Sequence, residues 1–245
     1  MPHLIVSDIH ANLQALQAVL EDAQGRYDTL LCLGDFVDYG ADPNAVVEWA
    51  RQTPMVTIRG NHDRVAAASD QDLPDAIAGF SQGARISAEW TRTALLAANR
   101  DFLARLSRGP VPYDGFDIVH GSPADEDEYL ITVTDAAMVR EDIETQLTFF
   151  GHTHRQGGFL LARQGAGYVD PLRPLEIEPD YFYLVNPGSV GQPRDGDPRA
   201  AYALYWPVER VVEFHRVAYD IGRAAEKIRA AGLPEFLAAR LFEGK

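Results

Sequence analysis

Cysteine is almost absent from this chain. With one thiol, Cys32, in 245 residues there is no internal disulfide to brace a fold, and such low usage suits a reducing compartment. Cys32 lies in the apolar run LLCLG, where a small buried filler is expected rather than a reactive thiol. Long apolar runs are missing as well: nothing approaches the roughly 20 residues that a membrane-spanning helix needs. The opening MPHLIVSDIH has neither a basic flank nor an extended apolar stretch. No signal peptide is read there, and a cytoplasmic location is expected. Basic residues are scarce, with 22 Lys and Arg against 36 Asp and Glu and a net charge of −14. That balance argues against an extended nucleic-acid surface. It leaves room for a small phosphorylated substrate, because bound divalent cations would set the local potential.

What the chain does have is apolar sequence in short pieces. Hydrophobic residues make up 46%, enough for one domain over residues 1–245 with a sizeable core. Helix-like and strand-like segments alternate, which predicts an α/β fold. Strands are expected at 3–7, 29–33 and 54–59, joined by an amphipathic helix over 12–24 and another beginning near Pro43. Residues 64–108 turn Ala-rich and polar, with helices expected near 81–98 and 99–107. A cap over a substrate pocket and plain packing on the sheet edge are both open for that insertion. Strand–turn pairs return at 111–119, a buried strand follows at 147–151, and 158–217 reads as β-hairpins. One or two helices close the chain over 220–242.

Five of the seven histidines fall in short motifs, each ending an apolar strand-like run. Asp8-Ile9-His10 follows LIVS, Gly34-Asp35-Phe36-Val37-Asp38 follows LLCL, and Gly60-Asn61-His62-Asp63 follows VTIR. His120-Gly121 follows DIV, and Gly151-His152-Thr153-His154 follows TFF. In open α/β sheets ligands bind outside the carboxyl ends of strands, so these pieces are expected to converge. One carboxylate, with two oxygens, can bridge two metals; Asn61 offers a neutral oxygen, and the histidines add imidazole nitrogens. A mixed oxygen and nitrogen set suits Mn, Fe, Zn, Co or Ni better than Ca or Mg. Two divalent ions against two carboxylates leave a positive excess that matches a phosphate ester.

In this order the motifs D-x-H, G-D-x-x-D, G-N-H-D, H and G-H-x-H resemble the calcineurin-like metallophosphoesterase superfamily over about residues 3–215. The stretches VHGSP, FFGHTH and VNPGSVGQPRDGDPRAAYAL are similar to its bacterial branch of diadenosine-tetraphosphatase-like and small phosphodiesterase proteins. The resemblance implies a four-layer α/β/β/α sandwich with a helical cap insertion. It implies one metal, with Mn the first choice, on Asp8, His10, Asp35 and His154, and a second on Asp35, Asn61, His120 and His152. It further implies a bridging water or hydroxide that attacks phosphorus in line, while His62, paired with Asp38, protonates the leaving group. The expected function is a metal-dependent phosphoesterase for a small phosphodiester or nucleotide. A non-catalytic metal-binding scaffold and a protein Ser/Thr phosphatase are the rival readings.

Other features are expected to be structural. The Gly- and Pro-rich segment after YFYLV reads first as a tight turn bracing the site, with Asn186 structural. Arg194 is its candidate substrate contact. The acidic run Asp125 to Glu128 reads as a solvated loop, and Cys32, His3 and His215 fall outside every motif.

Overall fold

A computed structural model describes residues 1–163 and 165–245. In chain order it contains β1 (His3–Val6), α1 (Leu13–Asp22), β2 (Thr29–Cys32), α2 (Pro43–Gln52), β3 (Val56–Thr57) and α3 (Asn61–Ala67). The insertion adds α4 (Leu73–Ala76), α5 (Gln82–Ala94) and α6 (Ala97–Ala104), before β4 (Val111–Tyr113), β5 (Phe116–Ile118), α7 (Val133–Met138) and β6 (Leu147–Phe149). Then come β7 (Gly157–Leu161), β8 (Ala166–Val169), β9 (Leu175–Glu176), β10 (Phe182–Asn186), β11 (Ala200–Trp206), β12 (Val211–Val217), α8 (Ile221–Ala230) and α9 (Glu235–Glu243).

The strands form two six-stranded sheets, ordered β3-β2-β1-β11-β12-β9 and β4-β5-β6-β10-β7-β8. In the first, β1, β2 and β3 run parallel; in the second, β5, β6 and β10 do. The pleat decides which side chain enters which layer, because successive residues of a strand face opposite ways. Ile5 thus joins the core between the sheets, with Phe116, Phe149, Tyr183 and Val185. Its neighbours Leu4 and Val6 pack outward against Leu16 and Val19 of α1 and Val46 and Val47 of α2. On the far side Leu184, Phe159 and Leu161 are covered by Ala136 of α7 and by Val139 and Ile143. The result is the expected α/β/β/α layering, with a thin fourth layer.

Several boundaries moved for identifiable reasons. The first helix begins at Leu13 because the Asn12 side chain caps it, accepting from Ala15 N at 3.1 Å. The third strand is only two residues long, since Ile58 still bonds Cys32 but Arg59 N turns away to Ser107 O. The hairpin region divides between sheets: β7, β8 and β10 enter the second, β9, β11 and β12 the first. Leu95 and Leu103 join the outer core of the first sheet, while residues from Asp75 to Ala84 line a cavity over the strand ends. Cys32 is fully buried, as expected, and burial pushes its thiol pKa up. Among the described residues no helix is long and apolar enough to cross a membrane.

Candidate metal centre

The parallel strands of both sheets deliver their carboxyl ends to one place, and the loops there are zipped together by their backbones. Asp8 N donates to Gly34 O at 3.0 Å, His10 N to Asp35 O at 3.0 Å, and Gly151 N to His120 O at 2.8 Å. To make these turns Asp8, His10, Ala11, Asp35, Asp38, Tyr39, His152 and His154 all adopt positive φ. A left-handed non-glycine residue costs roughly 1–2 kcal/mol, so strain is concentrated where the motifs meet and is held by this network. Gly60 is needed for its lack of a side chain: a Cβ there would overlap the Asp35 carboxylate.

The structure brings all seven sequence-predicted ligands into two buried groups. Asp8, His10, Asp35 and His154 offer ligand atoms that lie within 4.8 Å of one another, and so do Asp35, His120 and His152. Asp35 belongs to both. Its Oδ1 accepts from His62 N at 2.9 Å, while Oδ2 stands 3.6 Å from His10 Nε2 and 3.2 Å from His120 Nε2. Asn61 completes the second group, with Oδ1 3.1 Å from His120 Nε2.

The hydrogen-bond pattern tests whether a cation fits. His10 Nδ1 donates to Val37 O at 2.8 Å, His154 Nδ1 to Gln192 O at 2.6 Å, and His120 Nδ1 to Leu33 O at 2.8 Å. Burial holds His10 and His154 neutral, well below the usual histidine range, despite Asp35 beside His10. Their Nε2 lone pairs then face each other at 3.0 Å, an arrangement that repels unless a cation shares it. Buried Asp8 Oδ2, Asp35 Oδ2 and His152 Nε2 have no hydrogen-bond partner either. Buried polar atoms are rarely left this way. Imidazoles oriented through Nδ1 by backbone carbonyls, with free Nε2 atoms among carboxylates, are what metal ligation requires. The residues present fit divalent metal ions.

His62 has a different setting. Its Nδ1 donates to Asp38 Oδ2 at 2.6 Å, and its ring packs on Phe80 of the insertion, 4.5 Å between centroids. Burial disfavours its charged form, but Asp35 and the bond to Asp38 outweigh burial and hold its pKa above the ordinary value. The turn that carries Asp38 is braced from the insertion too, because Tyr39 N donates to Ser87 Oγ of α5 at 2.6 Å. His62, Asn61 and His152 line a cavity of about 420 Å³, shared with Tyr39, Phe80, Tyr129, Arg194 and Arg240.

Sequence reasoning missed some supports and misread one. Asp63, the last residue of Gly-Asn-His-Asp, accepts from Asp35 N, Phe36 N and Gly60 N at 2.8–3.0 Å and so holds the Asp35 loop against α3. An acidic residue in the first turn of a helix was its legible signal. The acidic run is not simply solvated. Glu126 is buried at 6% exposure, accepts two hydrogen bonds from Arg59 at 3.0 and 3.1 Å, and accepts another from Arg64 at 2.7 Å. It clamps the loop after His120 to the β3–α3 junction. Asn186 is structural as expected, donating to Gly151 O and Thr153 Oγ1.

A stability prediction follows from Glu126. Although burial opposes it, Arg59 and Arg64 hold its carboxyl below the usual range. Its stabilisation is therefore complete at neutral pH and is lost as pH falls below the ordinary glutamate value and through its depressed folded value. Glu126→Gln, which leaves the half-buried Arg59 without an anion and Arg64 with Asp127 alone, is expected to cost about 1–3 kcal/mol at pH 7. Urea denaturation should show the gap to wild type closing as pH is lowered. A gap independent of pH would mean that the loss is not ionic.

Comparison with known proteins follows the same lines. The family model described as the calcineurin-like phosphoesterase superfamily domain matches residues 1–206. The uncharacterized protein MJ0912 of Methanocaldococcus jannaschii is 36% identical over 256 residues, covering 98% of this chain and 97% of its own. The crystal structure of a metallophosphoesterase from Sphaerobacter thermophilus aligns with 38% identity and a TM-score of 0.85, covering 100% of this chain and 99% of that one. The hypothetical protein PH1004 from Pyrococcus horikoshii OT3 shares the fold, with a TM-score of 0.80 at 23% identity and coverage of 100% and 98%. With its two sheets, its buried Asp/His groups and these matches, the chain belongs to the calcineurin-like phosphoesterase superfamily.

Proposed function

We propose that this protein is a two-metal phosphoesterase that hydrolyses a small phosphodiester or nucleotide. The observation that carries the reading is Asp35, which belongs to both buried ligand groups and directs its unpartnered Oδ2 toward the histidines of each. Two divalent transition-metal ions, Mn foremost, held by Asp8, His10, Asp35 and His154 and by Asp35, Asn61, His120 and His152, would polarise phosphoryl oxygens and lower the pKa of water. The chain's own residues divide the remaining work. His62, with Nδ1 engaged by Asp38, has Nε2 left to donate a proton to the departing oxygen. Nearby bound cations would disfavour an imidazolium, and the Asp38 carboxylate offsets them. Arg194 lines the same cavity and is the substrate contact.

The size of the cavity favours a small substrate over a folded protein. Asp75, Ala76, Gly79, Phe80, Ser81 and Ala84 of the insertion form one side of it, which narrows the approach that a phosphoprotein loop would need. No ligand position of the motifs is lost, so a scaffold that has abandoned catalysis is the weaker reading. The test is hydrolysis of cyclic nucleotides, dinucleoside polyphosphates, aryl phosphodiesters and monoesters with Mn, Ni, Co, Zn and Mg. Mn-stimulated turnover of a diester or nucleotide is expected. No turnover of any ester with any of these metals would return the protein to the scaffold class.

A further inference from the structure

The outer face of the second sheet is only partly covered. Leu184, Phe159 and Leu161 lie under α7 and the segment after it, but that layer stops short of the β4 edge. Pro112, Asp117 and Thr148 are register partners across β4, β5 and β6, so they stand in one row. Their strand neighbours Phe116, Ile118, Leu147 and Phe149 point into the core between the sheets, which turns the row outward. Over it lies a cavity of about 480 Å³, within the range of roughly 300–1,000 Å³ usual for small-molecule sites. It shares no lining residue with the cavity over the metal centre.

Charge gives this cavity one part of its chemistry. Asp117 lies on its floor, and Glu141, Asp142 and Glu144 reach it from the chain between α7 and β6, while no Lys, Arg or His lines it. Acids of neighbouring loops are paired, Asp114 with His3 and Glu126 with Arg59; among the described residues these four are not. The basic residues next to the lining segments are engaged elsewhere. Arg140 lies over the Phe182 ring, 3.5 Å from its centroid, and Arg108 donates to Ala124 O at 2.8 Å. Asp117 is only 7% exposed, and its Oδ2 accepts from Thr145 Oγ1 at 2.8 Å. A carboxylate buried without a cation is costly. A hydroxyl supplies the other part. Thr148 is buried beside Asp117 on the same floor, and its Oγ1 has no hydrogen-bond partner, an uncommon state for a buried polar atom.

The arrangement also selects the kind of cation. A metal ion needs several donors at one point, and among the described residues only the groups of the metal centre bring three within 4.8 Å of one another. Here the acids are spread along the cavity, and between them stand the apolar surfaces of Pro110, Pro112, Pro123 and Ile143. A methylene chain fits such walls. An ammonium has three donors and no acceptor, which suits Asp117 and Thr148 Oγ1 together. We propose that this cavity binds a linear aliphatic polyamine, with one ammonium on Asp117 and Thr148 and another at the exposed acids of the mouth. The site is independent of the reaction at the metal centre.

The test is calorimetric titration of the purified protein with spermidine at physiological ionic strength, with amide NMR shifts locating the site. One saturable event is expected, with shifts centred on 110–123 and 141–148. Asp117→Asn should weaken it about ten-fold, the order of one charge-assisted contact. Thr148→Val should weaken it about five-fold yet melt no lower than wild type, since the fold makes no bond to that hydroxyl. Should Asp117→Asn fold poorly, Glu141→Gln combined with Glu144→Gln gives a second reading: a loss of up to about five-fold that shrinks as salt is added. Binding unchanged in every variant would mean general attraction to a chain of net charge −14 and would overturn the proposal. Shifts centred on the metal ligands would overturn it too. So would tighter binding of a trilysine peptide than of spermidine, which would make this a protein-docking surface.

Discussion

Asp35→Asn is expected to lower kcat/KM by at least about a thousand-fold, since metal ions contribute several kcal/mol of transition-state stabilisation and each 1.36 kcal/mol is ten-fold in rate. The substitution is nearly isosteric, so its Oδ1 can still accept from His62 N, as Asp35 does at 2.9 Å. The amide then presents N–H donors where Oδ2 faces His10 and His120. A donor there satisfies the imidazole lone pairs that a cation would otherwise share. Metal content should therefore fall at both positions, not one, because both groups use this carboxylate. Thermal melts give a second readout. A ligand bound only by the native state at 100 times its Kd stabilises by about 2.7 kcal/mol, worth roughly 5–10 °C in a chain of this length. Wild type should gain that on adding Mn, and Asp35→Asn should not. Full two-metal occupancy in the variant would contradict the shared carboxylate.

His62→Ala is expected to lower kcat by about 10²–10⁴-fold for esters with alkoxide leaving groups, while metal content is unchanged. The ring lies on the cavity and its Nδ1 is occupied by Asp38 at 2.6 Å. Only Nε2 remains to meet a substrate, and the Asp35 charge and the bond to Asp38 favour the protonated ring, which suits a proton donor. A p-nitrophenolate leaves without protonation, so aryl esters should lose far less. The measurement is kcat across a series of leaving groups of increasing pKa. A steeper dependence in the variant is the expected result; a uniform fall for good and poor leaving groups would remove the acid role. Asp38→Asn should move in the same direction by a smaller factor.

The site was more legible than the fold around it. Asp8, His10, Asp35, Asn61, His120, His152 and His154 each stand directly after an apolar run, and strand ends in open α/β sheets converge, so local pattern alone pointed to them. Sheet membership was not legible. YFYLV and AAYALY are equally apolar, yet β10 enters one sheet and β11 the other, because pairing is decided by long-range ladders and not by composition. Glu126 looked like one of several solvated acids. Only the approach of Arg59 and Arg64 from a segment more than sixty residues away made it a buried clamp.

By itself, the sequence determined the chemistry available: which donor atoms exist, their order, and that each follows a strand. That information is local, since motif spacing and hydrophobic period act over a few residues. Tertiary structure decided what those donors do. It turned Asp35 so that its two oxygens divide between the His62 backbone and two histidine groups, and it put Nε2 of His10 against that of His154, 144 residues later. It also carried Arg240 from the last helix to the cavity of Arg194. These are consequences of packing between segments distant in sequence, and no local pattern encodes them.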